Sequence, residues 1–386
     1  MKKHPTRRVA IGAVAVGALT IPMALTGATA AGADDLAPVY TTSSATGNDW
    51  FVVLEDSITT SSVSPSSLGI SSDQVNHTYE EVINGYSASL SGSEVQDLRA
   101  QDGVAYIEQV GEAEINLTWG LDRIDQEDLP LDDSYTTEAD GAGSTVYVID
   151  TGIDPEHSEF GGRASVGFDA SGGDGMDAQG HGTHVAGTVG AETYGVAPGA
   201  DLVGVKVLGD DGSGSYDDVI AGIDWVAENA DGGAVANMSL GGPASQAVDD
   251  AVNNLSASGV FVAVAAGNES QDTDNVSPGG AEGVVSVGAS DESDATASFS
   301  NYGPAVDIYA PGVDVESTIP GGGTDTYSGT SMASPHVAGA AALYKSGQGD
   351  DDQDTILDWM ITNGGDDKLS GVPSDTVNLL LNVEGL

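Results

Sequence analysis

Between residues 145 and 288 the chain repeats one pattern: a short apolar, β-branched run, then a stretch with helical spacing. The runs are Thr145–Asp150, Leu202–Leu208, Ala236–Leu240, Val260–Ala266 and Val284–Gly288. Asp217–Asn229 and Ala247–Ser258, the latter closed by Gly259, read as amphipathic helices. A strand that is apolar on both faces must be covered on both faces. Such strands alternating with helices specify a three-layer α/β domain with a mostly parallel central sheet. Sites in these sheets form at the carboxyl ends of the strands. The pattern predicts one large domain over 116–386.

Upstream the character changes. Residues 1–33 read as an export signal: Lys2, Lys3, Arg7 and Arg8, an apolar run from Val9 to Leu25, then small residues to Ala33. Small pairs at Ala28/Ala30 or Ala31/Ala33 suit cleavage, and Arg7-Arg8 also fits twin-arginine export. An uncleaved anchor is the alternative, which Pro22 and the small-residue end disfavour. Residues 34–49 are polar. From 50 to 115 a small α+β module is expected. Its strands are Trp50–Leu54, Val82–Leu90 and Val104–Glu108, and its helix is Ser93–Gln101 with Ser93 as N-cap.

Charge bears on partners. The chain has 60 acidic and 10 basic residues, a formal charge of −50, and no acid precedes Asp34. A surface this negative cannot neutralise phosphates, so nucleic acid is excluded as a partner. Self-repulsion of this size opposes compaction. At molar salt the Debye length is about 3 Å and the repulsion is screened, so a salt-adapted surface is expected. There is no cysteine, and a core this large does not require disulfides.

Four segments carry chemistry. In Gly329-Thr330-Ser331-Met332-Ala333-Ser334-Pro335-His336 a glycine turn leads into small helix formers. Ser331 and Pro335 are expected in the first helical turn, where free amides favour negative charge and proline's missing N–H costs little. A serine there can attack a carbonyl while its own N–H receives the developing oxyanion. Taken alone, the segment better suits a serine cap on a buried helix, and the segments upstream reverse that. Asp150 ends an apolar strand at the lip of a prospective cleft, where a carboxylate can orient an imidazole. His181 stands among small residues, so another segment can approach closely. His181 and His184 lack a Glu between them and any further ligand spacing, which argues against zinc. His4, His77, His157, His184 and His336 read as structural. Asn268 ends the run Val260–Gly267 with an amide able to donate. Asp-Thr-Gly and Gly-Asn also suit ordinary turns.

In chain order, Asp150-Thr151-Gly152-Ile153-Asp154, His181-Gly182-Thr183-His184-Val185-Ala186-Gly187-Thr188 and the Ser331 segment resemble the signatures of subtilisin-like serine proteases. The likeness is greatest to the proteinase K and halolysin-like branch. The order Asp, His, Ser is subtilisin's, unlike that of chymotrypsin or the α/β-hydrolases. The resemblance covers nearly all of 116–386. Asn84-Gly85-Tyr86-Ser87-Ala88-Ser89-Leu90 and Gly103-Val104-Ala105-Tyr106-Ile107-Glu108-Gln109 resemble the family's propeptide. That recasts 34–115, with a core of about 50–115, as inhibitor and folding aid.

The resemblance implies a subtilisin-like fold and a secreted, extracellular serine endopeptidase made as a zymogen. Ser331 would be the nucleophile, His181 its base and Asp150 the orienting carboxylate, with Asn268 and the Ser331 N–H holding the oxyanion. An extended peptide would pair between Gly212-Ser213-Gly214 and Ser239-Leu240-Gly241-Gly242. Ala265, Ala266 and Gly267 would line a roomy apolar pocket for the residue before the cut, with no charged residue placed to demand Lys or Arg. Structural calcium would sit on Asp307 with the backbone oxygens of Glu282 and Val284, while Lys368 falls where the family's second site wants an acid. Expected partners are protein substrates and the chain's own propeptide, with a monomeric enzyme free of the membrane. The rival class is a catalytically silent, acidic, cation-binding extracellular protein on the same scaffold, which would need a broken triad. An esterase would show Gly-x-Ser-x-Gly after a strand, which Ser331 lacks.

Overall fold

The computed structural model describes residues 36–41, 47–55, 57–80, 83–110 and 117–386. The expected export signal lies outside them. The chain forms two compact units, 1–115 and 116–386.

The first unit contains β1 (Val39–Tyr40), β2 (Asp49–Leu54), β3 (Val75–Tyr79), β4 (Gly85–Ser89), α1 (Gly92–Leu98) and β5 (Val104–Gln109). Its sheet runs β1-β5-β2-β4-β3. One face is apolar: Val52, Leu54, Ala88 and Ile107 pack with Val95 and Leu98 of α1. The strand expected from Val82 begins at Gly85, Val82 itself lying outside the described residues. The helix starts earlier than expected, and Ser91 rather than Ser93 caps it. The Ser91 hydroxyl accepts from the Glu94 N–H at 3.4 Å, and the Glu94 carboxylate accepts from the Ser91 N–H at 2.7 Å. This reciprocal pair satisfies two free amides at once, which Ser93 does not do.

The second unit begins with α2 (Trp119–Ile124), β6 (Thr145–Asp150), β7 (Ala164–Asp169), α3 (His181–Gly190), β8 (Asp201–Lys206), α4 (Tyr216–Asn229) and β9 (Ala234–Met238). It continues through β10 (Gly242–Pro243), α5 (Gln246–Ala257), β11 (Phe261–Ala265), β12 (Val276–Ser277), β13 (Val285–Ser290) and β14 (Ile308–Pro311). Then come a hairpin of β15 (Val315–Thr318) and β16 (Thr324–Tyr327), α6 (Thr330–Gly347), α7 (Gln353–Asn363), β17 (Gly365–Asp366) and β18 (Leu379–Leu380). The main sheet has the order β17-β18-β14-β13-β11-β9-β6-β8-β7. Every neighbouring pair is parallel except β17 with β18.

Side chains of β6 alternate between two cores. Val146 and Val148 join α3 and α6 on one face, and Tyr147 and Ile149 join α4 and α5 on the other. That is the three-layer arrangement the apolar runs demand. From β6 the chain builds outward through β8 and β7 on one side and through β9, β11 and β13 on the other. The strand order therefore reverses between β6 and β9, and a crevice opens at their carboxyl ends.

Helix α6 crosses the sheet, and all its residues from Met332 to Lys345 are buried. Its small side chains let backbones approach. A Cβ added to Gly339 would lie 2.6 Å from the Val196 Cβ. Pro335 is the sixth residue of α6, one turn inside the helix and not in its first turn as expected. The carbonyl four residues earlier, Ser331, thus has no backbone donor. The Ser239 hydroxyl donates to it instead at 2.7 Å. Among the described residues no helix is long and apolar enough to cross a membrane.

Gly339→Ala should destabilise this unit by about 1–3 kcal/mol, since overpacked cores cost that much. A thermal unfolding midpoint equal to wild type in the same buffer would refute the close contact.

Candidate active site

Asp150 is the last residue of β6 and His181 the first of α3. The imidazole Nδ1 lies 2.7 Å from Asp150 Oδ1. Oδ1 also accepts from the Thr151 N–H at 2.7 Å, while Oδ2 is buried with no partner among the described residues. A carboxylate so thinly solvated is a strong electrostatic partner for an imidazolium. Burial alone would lower the His181 pKa. The charge and hydrogen bond of Asp150, with Asp177 behind, outweigh burial and raise it above 6.5.

Asp177 fixes this geometry, and sequence reasoning missed it. One of its oxygens accepts from the Thr151 hydroxyl at 2.9 Å and from the Gln179 and Gly180 N–H groups at 3.1 and 2.8 Å. The other accepts from the N–H and hydroxyl of Thr183 at 2.8 and 2.7 Å. The N-cap of α3 is Gly180, which has no side chain, so Asp177 caps the helix from a distance. An aspartate a few residues ahead of a Gly-His helix start is the signal that was available. Lys206 Nζ donates to the Thr151 carbonyl at 2.6 Å and holds the loop after β6 from the other side.

Ser331 is the second residue of α6, so its N–H belongs to the first turn, where amides lack helical acceptors. Its hydroxyl donates to the Ser239 carbonyl at 3.1 Å. The Asn268 side-chain oxygen accepts from the Thr330 N–H and hydroxyl at 2.8 and 3.0 Å. With that oxygen anchored, the amide nitrogen is the remaining donor. A Cβ added to Gly329 would lie 3.6 Å from Ser331 N and 3.7 Å from Asn268 Nδ2. Glycine at 329 therefore keeps open a space that both donors face.

His181 and Ser331 share a cleft of about 400 Å³ with Gly212, Ser213 and Gly214 on one side and Ser239, Leu240 and Gly241 on the other. Tyr216 at the start of α4 joins the two sides, its hydroxyl donating to the Pro243 carbonyl at 2.7 Å. A second cavity, bordered by Gly242, Ala265, Ala266, Gly267 and Asn268, adjoins Ser331. Its volume is about 80 Å³, not roomy as expected, and Glu269 lines it. A carboxylate that the sequence did not lead one to expect therefore borders this pocket. Glu269 follows the Gly-Asn turn directly, and the turn carries its side chain back. Its Oε2 accepts from the Asn268 N–H at 3.0 Å and from Asn301 Nδ2 at 2.8 Å.

Asp307 precedes β14 and sits opposite Ser286 of β13, whose N–H donates to its Oδ2 at 2.8 Å. Burial pushes its pKa up to about 6 against that hydrogen bond. Val284, two residues before Ser286, is buried, and Glu282 is exposed. A half-buried carboxylate with no cation paired to it among the described residues has the chemistry of one ligand of an oxygen-ligand metal site. Among the described residues no three His, Cys, Asp or Glu side chains cluster for a metal. Lys368 Nζ lies 3.2 Å from Glu127 and 2.6 Å from Asp128, so an ammonium occupies that acidic corner.

Comparison with known proteins gives two family matches. Residues 141–376 match the model of the subtilase family, and residues 42–112 match that of peptidase inhibitor I9. Alkaline serine exoprotease A of Vibrio alginolyticus is 50% identical over 289 residues, which are 72% of this chain and 54% of that protein. The chain thus spans about half of that relative's length. An extracellular serine proteinase of Thermus sp. (strain Rt41A) is 49% identical, covering 72% of this chain and 70% of the relative. Proteinase R of Parengyodontium album is 45% identical, covering 80% and 82%. The crystal structure of a cold adapted subtilisin-like serine proteinase superposes with a TM-score of 0.68 at 48% identity, over 69% of this chain and 98% of that one. The chain belongs to the subtilase family of serine endopeptidases, with an I9-type inhibitor domain ahead of the protease domain.

Proposed function

We propose that this subtilase is a secreted, salt-adapted endopeptidase whose nucleophile is Ser331. The observation that carries the reading is the 2.7 Å Asp150–His181 pair in one cleft with a serine on a helix's first turn. Ser331 Oγ leaves the Ser239 carbonyl, turns to His181 Nε2 and attacks the scissile carbonyl as the imidazole takes its proton. Asp150 stabilises the imidazolium. The Ser331 N–H and Asn268 Nδ2 receive the oxyanion. His181 then protonates the departing amine, and water releases the acyl group by the same steps in reverse.

An extended peptide lies between Gly212–Gly214 and Ser239–Gly242, which admit close backbone approach. The small cavity takes the side chain before the cut, and its alanines and glycines favour an apolar or aromatic one. Residues 34–115, carrying the I9 match, act as inhibitor and folding aid and are cut away, after removal of the export signal over 1–33. The mature chain works outside the cell as a monomer.

The six basic residues from 34 onward all lie among the described residues, and none is exposed. Arg123 makes a bidentate pair with Asp294, Lys206 pairs with Asp210, Lys345 with Asp350 and Lys368 with Glu127 and Asp128. Arg99 donates to the Ala37 carbonyl, and Arg163 to those of Gly190 and Ala200. Among the described residues these few cations are all engaged and the many other surface carboxylates are left without one, which supports the salt-adapted reading. Calcium on Asp307 and the backbone oxygens of Glu282 and Val284 would neutralise a half-buried carboxylate.

Mass spectrometry of wild type and Ser331→Ala, both made in molar salt with calcium, tests the nucleophile. Wild type should lose about residues 34–115 while the variant keeps them, and an active Ser331→Ala would end the assignment. Asn268→Ala should lower turnover about 10²–10³-fold with little change in binding, a range carried over from subtilisin itself, the family's namesake.

Because the His181 imidazole must be neutral to act as base, its raised pKa places the acid limb of kcat/KM above pH 6.5. Asp150→Asn should move that limb to lower pH as well as reduce turnover. An unmoved limb would mean that another group sets it.

Stability should rise with NaCl up to molar concentrations and fall on chelation. Asp307's folded pKa, about 6, exceeds its ordinary 3.8. The metal-free fold therefore loses stability as pH rises through that window, and chelation should cost most above pH 6. Asp307→Asn should abolish the chelator effect and keep the salt effect. If unfolding midpoints in dilute buffer match those in molar salt, the salt reading is wrong.

A further inference from the structure

The Ser331 carbonyl lacks its helical partner because residue 335 is proline, and Ser239 Oγ supplies the missing donor at 2.7 Å. A serine hydroxyl has one proton to give. With that proton directed at Ser331, the 2.9 Å contact with Asn237 must run from Asn237 Nδ2 to Ser239 Oγ. Asn237 Oδ1 then accepts from the Ser334 hydroxyl at 2.7 Å. Ser334 lies on α6, one turn beyond Ser331. The relay Ser334 to Asn237 to Ser239 to Ser331 thus leaves the helix, passes through the end of β9 and returns to the helix. Each donor in it has one direction. Asn237 and Ser334 are wholly buried, and Ser239 nearly so. Ser239 also accepts the Ser331 hydroxyl on its own carbonyl, so one residue grips the serine on two sides.

We propose that the Asn237, Ser239 and Ser334 side chains form a positioning relay for the nucleophile, standing in for the helical hydrogen bond that Pro335 removes. The relay fixes ψ at Ser331 and with it the direction of the Cα–Cβ bond. It ties the serine to β9, the strand beside β6, which ends in Asp150. Nucleophile and orienting carboxylate are thereby set by adjacent strands of one sheet rather than by a helix end. The inference rests on Ser331 being the nucleophile. A purely structural role, satisfying buried polar groups, predicts lost stability without a specific loss of turnover.

A double-mutant cycle separates the two. Ser239→Ala removes the donor and keeps the backbone carbonyl. Its kcat should fall about 10- to 100-fold with KM changed less than about threefold, the scale of a small misplacement of reacting groups. Pro335→Ala supplies a backbone N–H at the position that bonds the Ser331 carbonyl in a regular helix. Added to Ser239→Ala, it should restore kcat at least about fivefold, a coupling that independent sites do not give. Asn237→Ala should show a smaller loss that Pro335→Ala also relieves, and this second cycle decides the matter if Ser239→Ala does not fold. Turnover is read per active site from the burst on an activated ester, so unfolded protein is not counted. Effects additive within about twofold in either cycle that can be read, or unchanged kcat with a lowered unfolding midpoint, would overturn the relay. A burst from Ser331→Ala would instead remove the nucleophile assignment on which it rests.

Discussion

One buried carboxylate keeps His181 over Asp150. Asp177 is 5% exposed and makes no ion pair with Lys or Arg among the described residues, yet it accepts five hydrogen bonds. A charge withdrawn from water is tolerable when its lone pairs are met in this way. The donors come from the loop after β6 and from the turn that starts α3, the two segments that must agree on where the imidazole points. The packing between them leaves no slack. A Cβ on Gly182 would lie 2.1 Å from the Gly152 carbonyl oxygen. Glycine there is a condition of the contact, because the loop and the helix meet backbone to backbone.

The sheet turns this local arrangement into a site. Asp150 ends, and Ser239 follows, strands that lie side by side where the strand order reverses. The crevice at that place is a consequence of topology, and the two helices that border it start there, the first amides of α3 met by Gln179, Thr151 and Asp177 and that of Thr330 in α6 met by Asn268. Pro335 would weaken an ordinary helix by about 3 kcal/mol. Here its effect is local, because a side chain from the sheet meets the carbonyl it strands.

The sequence made the large features legible where the physics is local. β6 and β11 are apolar runs, β13 is one broken by Ser286, and α4 and α5 have helical spacing, α5 with Gly259 behind it, so their existence and type could be read. β7 and β16 could not, because both are only half buried and lack a clear alternation. The cap at Ser91 was visible as a serine three residues before Glu94, and attention to Ser93 missed it. The residues of the candidate site stood out through motif and order. Their supports did not, because Asp177, the Ser239 hydroxyl and Glu269 act across the fold. No spacing rule tells which way a side chain turns after Gly267-Asn268, and so the pocket's charged wall was overlooked. The place of Pro335 was missed for a related reason. Its tolerance depends on Ser239, 96 positions upstream in the chain.

The engagement of every cation among the described residues has a chemical corollary. Lysine ammonium groups are the usual targets of acylating and aldehyde reagents, and basic side chains are what many proteases recognise. Lys206, Lys345 and Lys368 each hold a carboxylate, and neither Arg99, Arg123 nor Arg163 stands clear of the surface. Among the described residues the surface therefore offers few free amines to amine-directed electrophiles and no fully exposed basic side chain to a processing enzyme. Reaction at Lys206 or Lys345, both buried, would report that an ion pair had already opened, which makes these two amines built-in sensors of local unfolding.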